Sequence, residues 1–177
     1  MAAVFILLLI SVMYPLLHVT LLETNIDRIE KFLLRNKNNP NFSMIYALAN
    51  EHDEEVKEIT QKLIQKYKAR SRQALYKISE AIYFKNLSVA KTEIEYITSP
   101  LYRSYYQALI SLEDGELDCA NREIDKITNQ WMKNALLAER EKKQGNIVQA
   151  RQYAEIAKQK SKGLQRYLLH KTYEREF

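Results

Sequence analysis

The feature that most constrains this chain is a repeat with a period of thirty residues. The stretch LEDGELDCANREIDKI, residues 112–127, and the stretch KKQGNIVQARQYAEIA, residues 142–157, place Gly115 and Gly145 at matching points, each five residues before an alanine, Ala120 and Ala150. A fixed period has to be read before single elements are assigned, because it decides the whole architecture. Ala90, Ala120 and Ala150 form one column; Ile94, Ile124 and Ala154 a second; Ile97, Ile127 and Ala157 a third. Leu87, Leu117 and Ile147 make another, as do Ile78, Ala108, Ala138 and Leu168. Within a unit, Leu87, Ala90, Ile94 and Ile97 are spaced along one face of an α-helix. The alanine in that stripe lets two helix axes approach closely. Breaks fall at Lys85-Asn86, Asp114-Gly115 and Gln144-Gly145-Asn146, where glycine or asparagine tolerates the left-handed backbone that ends a helix.

Sheets need turn residues, and 177 residues with 3 Gly and 3 Pro supply few. An all-α chain is therefore expected, with paired helices at about 42–51 and 54–67, 71–84 and 87–98, 101–113 and 116–128, and 131–143 and 147–161, then a last helix at 164–175. Pro100 stops one helix and starts the next, and Asn38-Asn39-Pro40 reads as a linker. Before it, Ile26, Ile29, Phe32 and Leu33 imply an amphipathic helix that packs on the first pair or lies along a membrane.

Ala2 to Leu22 carries no acidic or strongly basic side chain. As a helix it would cover about 30 Å, the hydrocarbon thickness of a bilayer. Ser11, Tyr14, His18 and Thr20 are too few to solvate a face, and Pro15 is tolerated in a membrane helix. The expected division is an uncleaved transmembrane anchor at 1–22, a membrane-proximal helix and linker at 23–40, and a repeat domain at 41–177. A signal peptide is the main competitor, but no Lys or Arg precedes the apolar run and no small-x-small cleavage site stands before Glu23; a buried core helix is the third alternative. Arg28, Lys31, Arg35 and Lys37 follow the segment, so the positive-inside tendency places the repeats in the cytoplasm. Cys119, the single cysteine, excludes an internal disulfide and agrees with a reducing compartment. An exported orientation stays open.

The helix-turn-helix units resemble the tetratricopeptide repeat family. Ala108, Gly115, Ala120, Ile124 and Ile127 match its order of small residue, turn and small residue, as do Ala138, Gly145, Ala150, Ala154 and Ala157. The likeness covers about 71–163 well and 42–67 poorly. Ala74, Ser104 and Asn134 stand where the family favours tryptophan, and its unit is about 34 residues. Another helical-hairpin repeat is the alternative. The resemblance implies an α-solenoid of about four hairpins with a capping helix, whose first helices line a concave face that binds peptides or partner proteins. In that register Arg72, Tyr76, Ser79, Tyr83, Tyr102, Tyr106, Leu109, Glu113, Met132, Glu139 and Lys143 line or border the groove. The family's carboxylate clamp is not reproduced, since Leu75, Ser79, Tyr106, Met132 and Leu136 occupy its places.

Catalytic patterns are missing from the sequence. His18, His52 and His170 are scattered, so no metal is expected, and there is no phosphate loop, no G-x-S-x-G and no H-E-x-x-H. Cys119 sits beside Ala120 on a packing helix, where a small buried residue is expected rather than a nucleophile. No cofactor and no small-molecule substrate are expected. Tyrosine is abundant, at 12 residues, and aromatics with a polar tip suit binding surfaces. The expected function is a membrane-anchored scaffold, not an enzyme, that holds a protein or peptide. Residues 131–177 hold eleven Lys/Arg against five acids, a surplus exceeding the chain's net +5, so an adaptor whose basic C-terminal third binds anionic lipid or nucleic acid is the second reading. Solvated basic faces are common on helical repeats, which weighs against both, and nucleic acid is not an expected partner.

Overall fold

A computed structural model describes residues 13–177, which are all-α. Helix α1 is described over residues 13–21. There follow α2 (Ile26–Arg35), α3 (Pro40–Ala49), α4 (Asp53–Lys66), α5 (Arg70–Tyr83), α6 (Leu87–Glu93), α7 (Pro100–Glu113), α8 (Leu117–Asp125), α9 (Gln130–Lys143), α10 (Ile147–Lys160) and α11 (Gly163–Glu176). The pairs α3 with α4, α5 with α6, α7 with α8, and α9 with α10 form four hairpins, each second helix also packing on the first helix of the next pair. Helix α6 is shorter than its sequence pattern, because the chain tightens into a 3₁₀ turn at Ile94–Tyr96 and becomes extended before Pro100, as a residue preceding proline must.

All four hairpins turn in the same way. Glu51, Lys85, Gly115 and Gly145 have positive φ, and in each case the next N–H reaches back across the helix end: His52 to Ala47, Asn86 to Ala81, Glu116 to Ser111 and Asn146 to Glu141. This is the Schellman type of helix end. The turn at Glu51 adds a unit that the sequence pattern carries poorly, and it stands 34 residues before Lys85, where the later turns are 30 apart. On that spacing Val56 joins the Ala90, Ala120 and Ala150 column, and all of these residues are buried. Leu63 likewise joins Ile97, Ile127 and Ala157, and Met44 joins Ile78, Ala108 and Ala138, again all buried.

The ends of the chain meet. Helix α11 packs on α10 but also returns to α3 and α2, and one buried cluster contains Ile29, Leu33, Ala49 and Tyr167 with Val19, Leu164 and Leu168 against it. The amphipathic helix α2 thus packs on both the first pair and the last helix. Of the expected anchor, residues 2–12 lie outside the described residues, and no helix of the described residues is long and apolar enough to cross a membrane. The end of α1 is instead held by protein: Val19 is in that cluster, and the N–H of Gly163 donates to the Glu23 carbonyl at 2.7 Å.

Candidate functional site

The first helices α5, α7 and α9 present the residues that the repeat register assigns to a groove, and the structure divides them into four sets. Met132 and Leu109 belong to the core, packed with Ala108, Leu112, Ala120 and Leu136. Tyr106 lies on the Ala74–Ile78–Ile110 cluster, and its hydroxyl shares a 2.9 Å hydrogen bond with Ser79; burial pushes this phenol above its usual range. Tyr83 donates to Asp53 at 2.5 Å, and burial together with that carboxylate pushes it up to about 12. Glu113, Glu139 and Lys143 form a charged rim, with Lys143 at 3.0 Å from Glu113 and 4.0 Å from Glu139. Arg72 and Tyr102 remain exposed.

Around Arg72 the structure assembles a cluster that the sequence does not reveal. The Arg72 guanidinium lies 3.6 Å from the centre of the Tyr67 ring, and Tyr76 stacks on the same ring at 5.8 Å. Asn41 ties the two tyrosines together, accepting from Tyr76 at 2.7 Å and donating to Tyr67 at 3.0 Å. The Asn41 hydrogen bond and the Arg72 and Lys66 charges hold the Tyr67 phenol below its usual range. Tyr67 ends α4, and no helical spacing links it to Tyr76, so periodicity could not pair them. Beside the cluster, Ser71, Arg72, Leu75, Ile97, Thr98 and Ser99 line an open cleft of about 240 Å³. Tyr102, 44% exposed, stands one turn before Tyr106, level with Leu75 one turn before Ser79.

The other end of the row of first helices is covered by the chain itself. Leu169 and Tyr173 of α11 pack with Ala135 and Ala138 of α9, and Glu176 pairs with Lys142 at 3.0 Å. Arg175 reaches the Ala49 carbonyl at 2.5 Å and Glu51 at 3.0 Å. Burial pushes the Tyr173 and Tyr105 phenols well above their usual range. Along the row of first helices, the end where α5 and α7 begin stays open: an aromatic and aliphatic surface with the Arg72 guanidinium and several hydroxyls. It is suited to a peptide side chain or a short extended segment.

Among the described residues, no three His, Cys, Asp or Glu side chains come together as a metal set. Cys119 is free and half-buried, because Ala120 takes the buried position beside it. The His52 Nδ1 is buried without a hydrogen-bond partner, 3.3 Å from Glu55 at the start of α4. Comparison with protein families, with curated proteins and with solved structures finds no match for this chain.

Proposed function

We propose that this chain is a membrane-attached, tetratricopeptide-like interaction module with its repeats on the cytoplasmic side, receiving a protein or peptide where α5 and α7 begin. One observation carries the reading: where α5 and α7 begin, Arg72 and Tyr102 are exposed, and Arg72 lines an open cleft beside an aromatic cluster. Exposed aromatics and arginines are the side chains that dominate binding energies at protein interfaces. The repeated hairpins and the uncharged run at residues 2–22 support the scaffold and the membrane attachment.

A photoreactive phenylalanine in place of Tyr102, in native membranes, is expected to crosslink one partner. Arg72→Ala with Leu75→Ala should abolish that crosslink while circular dichroism stays unchanged. Replacing Tyr76 or Tyr106 is the poorer test, since both hydroxyls bond within the fold. A crosslink that survives the paired substitution sinks the assignment of this end as the binding site.

A further inference from the structure

Among the described residues nothing packs on the outer face of α1, while its inner face is committed to the protein. Met13, Tyr14, Leu17 and Leu21 follow one another at helical spacing and are all exposed, Tyr14 by 62% and Leu21 by 57%. On the other side, Val19 packs among Leu164 and Leu168. The contact is close enough to require glycine: a Cβ on Gly163 would overlap the Thr20 carbonyl, and Gly163 has φ +58. Arg166 adds a 3.0 Å hydrogen bond to the Thr24 carbonyl and another to the Lys158 carbonyl. The apolar stripe of α1 is therefore fixed beside the α10–α11 turn, which carries the exposed Lys160 and Lys162. Neither lysine makes an ion pair among the described residues. The nearby Glu23 carboxylate is satisfied from within by the Asn25 and Thr24 N–H groups and by Arg28, which hold it below its usual range.

We infer that this face, Tyr14, Leu17 and Leu21 with Lys160 and Lys162 at its edge, is a platform on which the surface of an anionic bilayer sits. The inference rests on the membrane attachment proposed above and says which part of the domain touches lipid. Composition favours a bilayer over another protein as the occupant. Residues 2–22 carry no charged side chain, so the exposed stripe of α1 belongs to the same uncharged run on which the membrane attachment rests, and the two lysines at its edge complement anionic headgroups. On that stripe Tyr14 supplies an interfacial aromatic.

The test uses the full chain with Cys119→Ser and a single environment-sensitive dye at Leu21→Cys, Lys162→Cys or Val148→Cys, mixed with phosphatidylglycerol vesicles. Val148 is exposed too, but stands about 18 Å along α10 from Lys160. Dyes at 21 and 162 are expected to shift to the blue while the dye at 148 stays in water. The pair Lys160→Gln and Lys162→Gln should lower the preference for anionic over neutral vesicles about 30-fold. If the chain floats with the vesicles but 21 and 162 report water, or 148 shifts equally, the platform is overturned and the attachment stands. A chain that does not float overturns both. DNA that displaces vesicles from Lys160 and Lys162 overturns the choice of lipid.

Discussion

The four hairpins and the seam where α1, α2 and α11 meet are built on opposite principles. In the hairpins one contact pattern recurs, and the two glycine turns hang free: a Cβ added at Gly115 or Gly145 meets nothing within 4 Å. In the seam the contacts of α11 with α1 and α2 join residues more than a hundred positions apart, and the packing tolerates little, as the Thr20 carbonyl over Gly163 shows. The same residue type thus does two jobs. At 115 and 145 glycine serves the backbone angle alone, whereas at 163 it serves both the angle and the packing.

Substitution of Gly163 separates these roles most sharply. Alanine there faces a left-handed backbone costing about 1–2 kcal/mol and an overlap with backbone that cannot rotate away, adding about 1–3 kcal/mol. Gly163→Ala is expected to destabilise the chain by about 3 kcal/mol. Hydrogen exchange should show α1 and the start of α11 losing protection while α5 to α8 keep theirs. Uniform loss across all helices would mean that the seam and the hairpins form one cooperative unit.

Tyr167 tests the polar side of the seam. It is fully buried, donates to Glu30 at 2.8 Å and accepts from Asn50 at 3.0 Å. Tyr167→Phe leaves the Asn50 amide without this acceptor and Glu30 with Lys171 at 3.3 Å, for an expected cost of about 2 kcal/mol in chemical denaturation. A change within about 0.5 kcal/mol, the range of ordinary surface substitutions, would mean that apolar contact alone holds α11 on α2 and α3.

This contrast also explains what can be read without the structure. The columns through Ala90, Ala120 and Ala150 are periodic, so they announce helices, hairpins and core together, and all three are buried as expected. The first hairpin is harder to read, because Glu51 marks its turn in place of glycine and Val56 replaces the alanine. The return of α11 onto α3 has no period at all, since Tyr167 against Asn50 and Arg175 against Ala49 are single pairings. The site divides similarly: exposed Arg72 and Tyr102 follow from the register, while Asn41 and Tyr67 enter only through tertiary contact.

Within the hairpins, Glu93 is the buried charge to probe by pH. Its carboxylate, only 6% exposed, meets Arg70 at 2.5 Å and Lys77 at 3.2 Å. Burial pushes its pKa up, but the two cations outweigh burial and leave it below the ordinary 4.5. A depressed folded value stabilises the fold above the unfolded pKa, and that contribution is lost as pH falls from about 4.5 through the folded value. Glu93→Gln should cost about 1.5 kcal/mol at pH 7, moderated because both cations are partly in water, and should flatten the acid limb of the stability curve. An unchanged acid limb would assign acid sensitivity to other carboxylates.

The smallest expected effect bears on the turns themselves. Lys85 occupies with φ 55 the position that Gly115 and Gly145 fill at φ 80 and 81, so the second hairpin bears a strain that the third and fourth avoid. Lys85→Gly relieves that strain but gives the unfolded chain more freedom, and the strain outweighs the freedom, for a net gain of about 0.5–1 kcal/mol. Gly115→Ala should lose about 1 kcal/mol by the reverse path, with no steric part because the space around it is open. Equal and opposite shifts in the denaturation midpoint would show that hairpin turns contribute through backbone angle alone. If Lys85→Gly loses stability instead, the lysine makes a contribution in the turn that exceeds its strain.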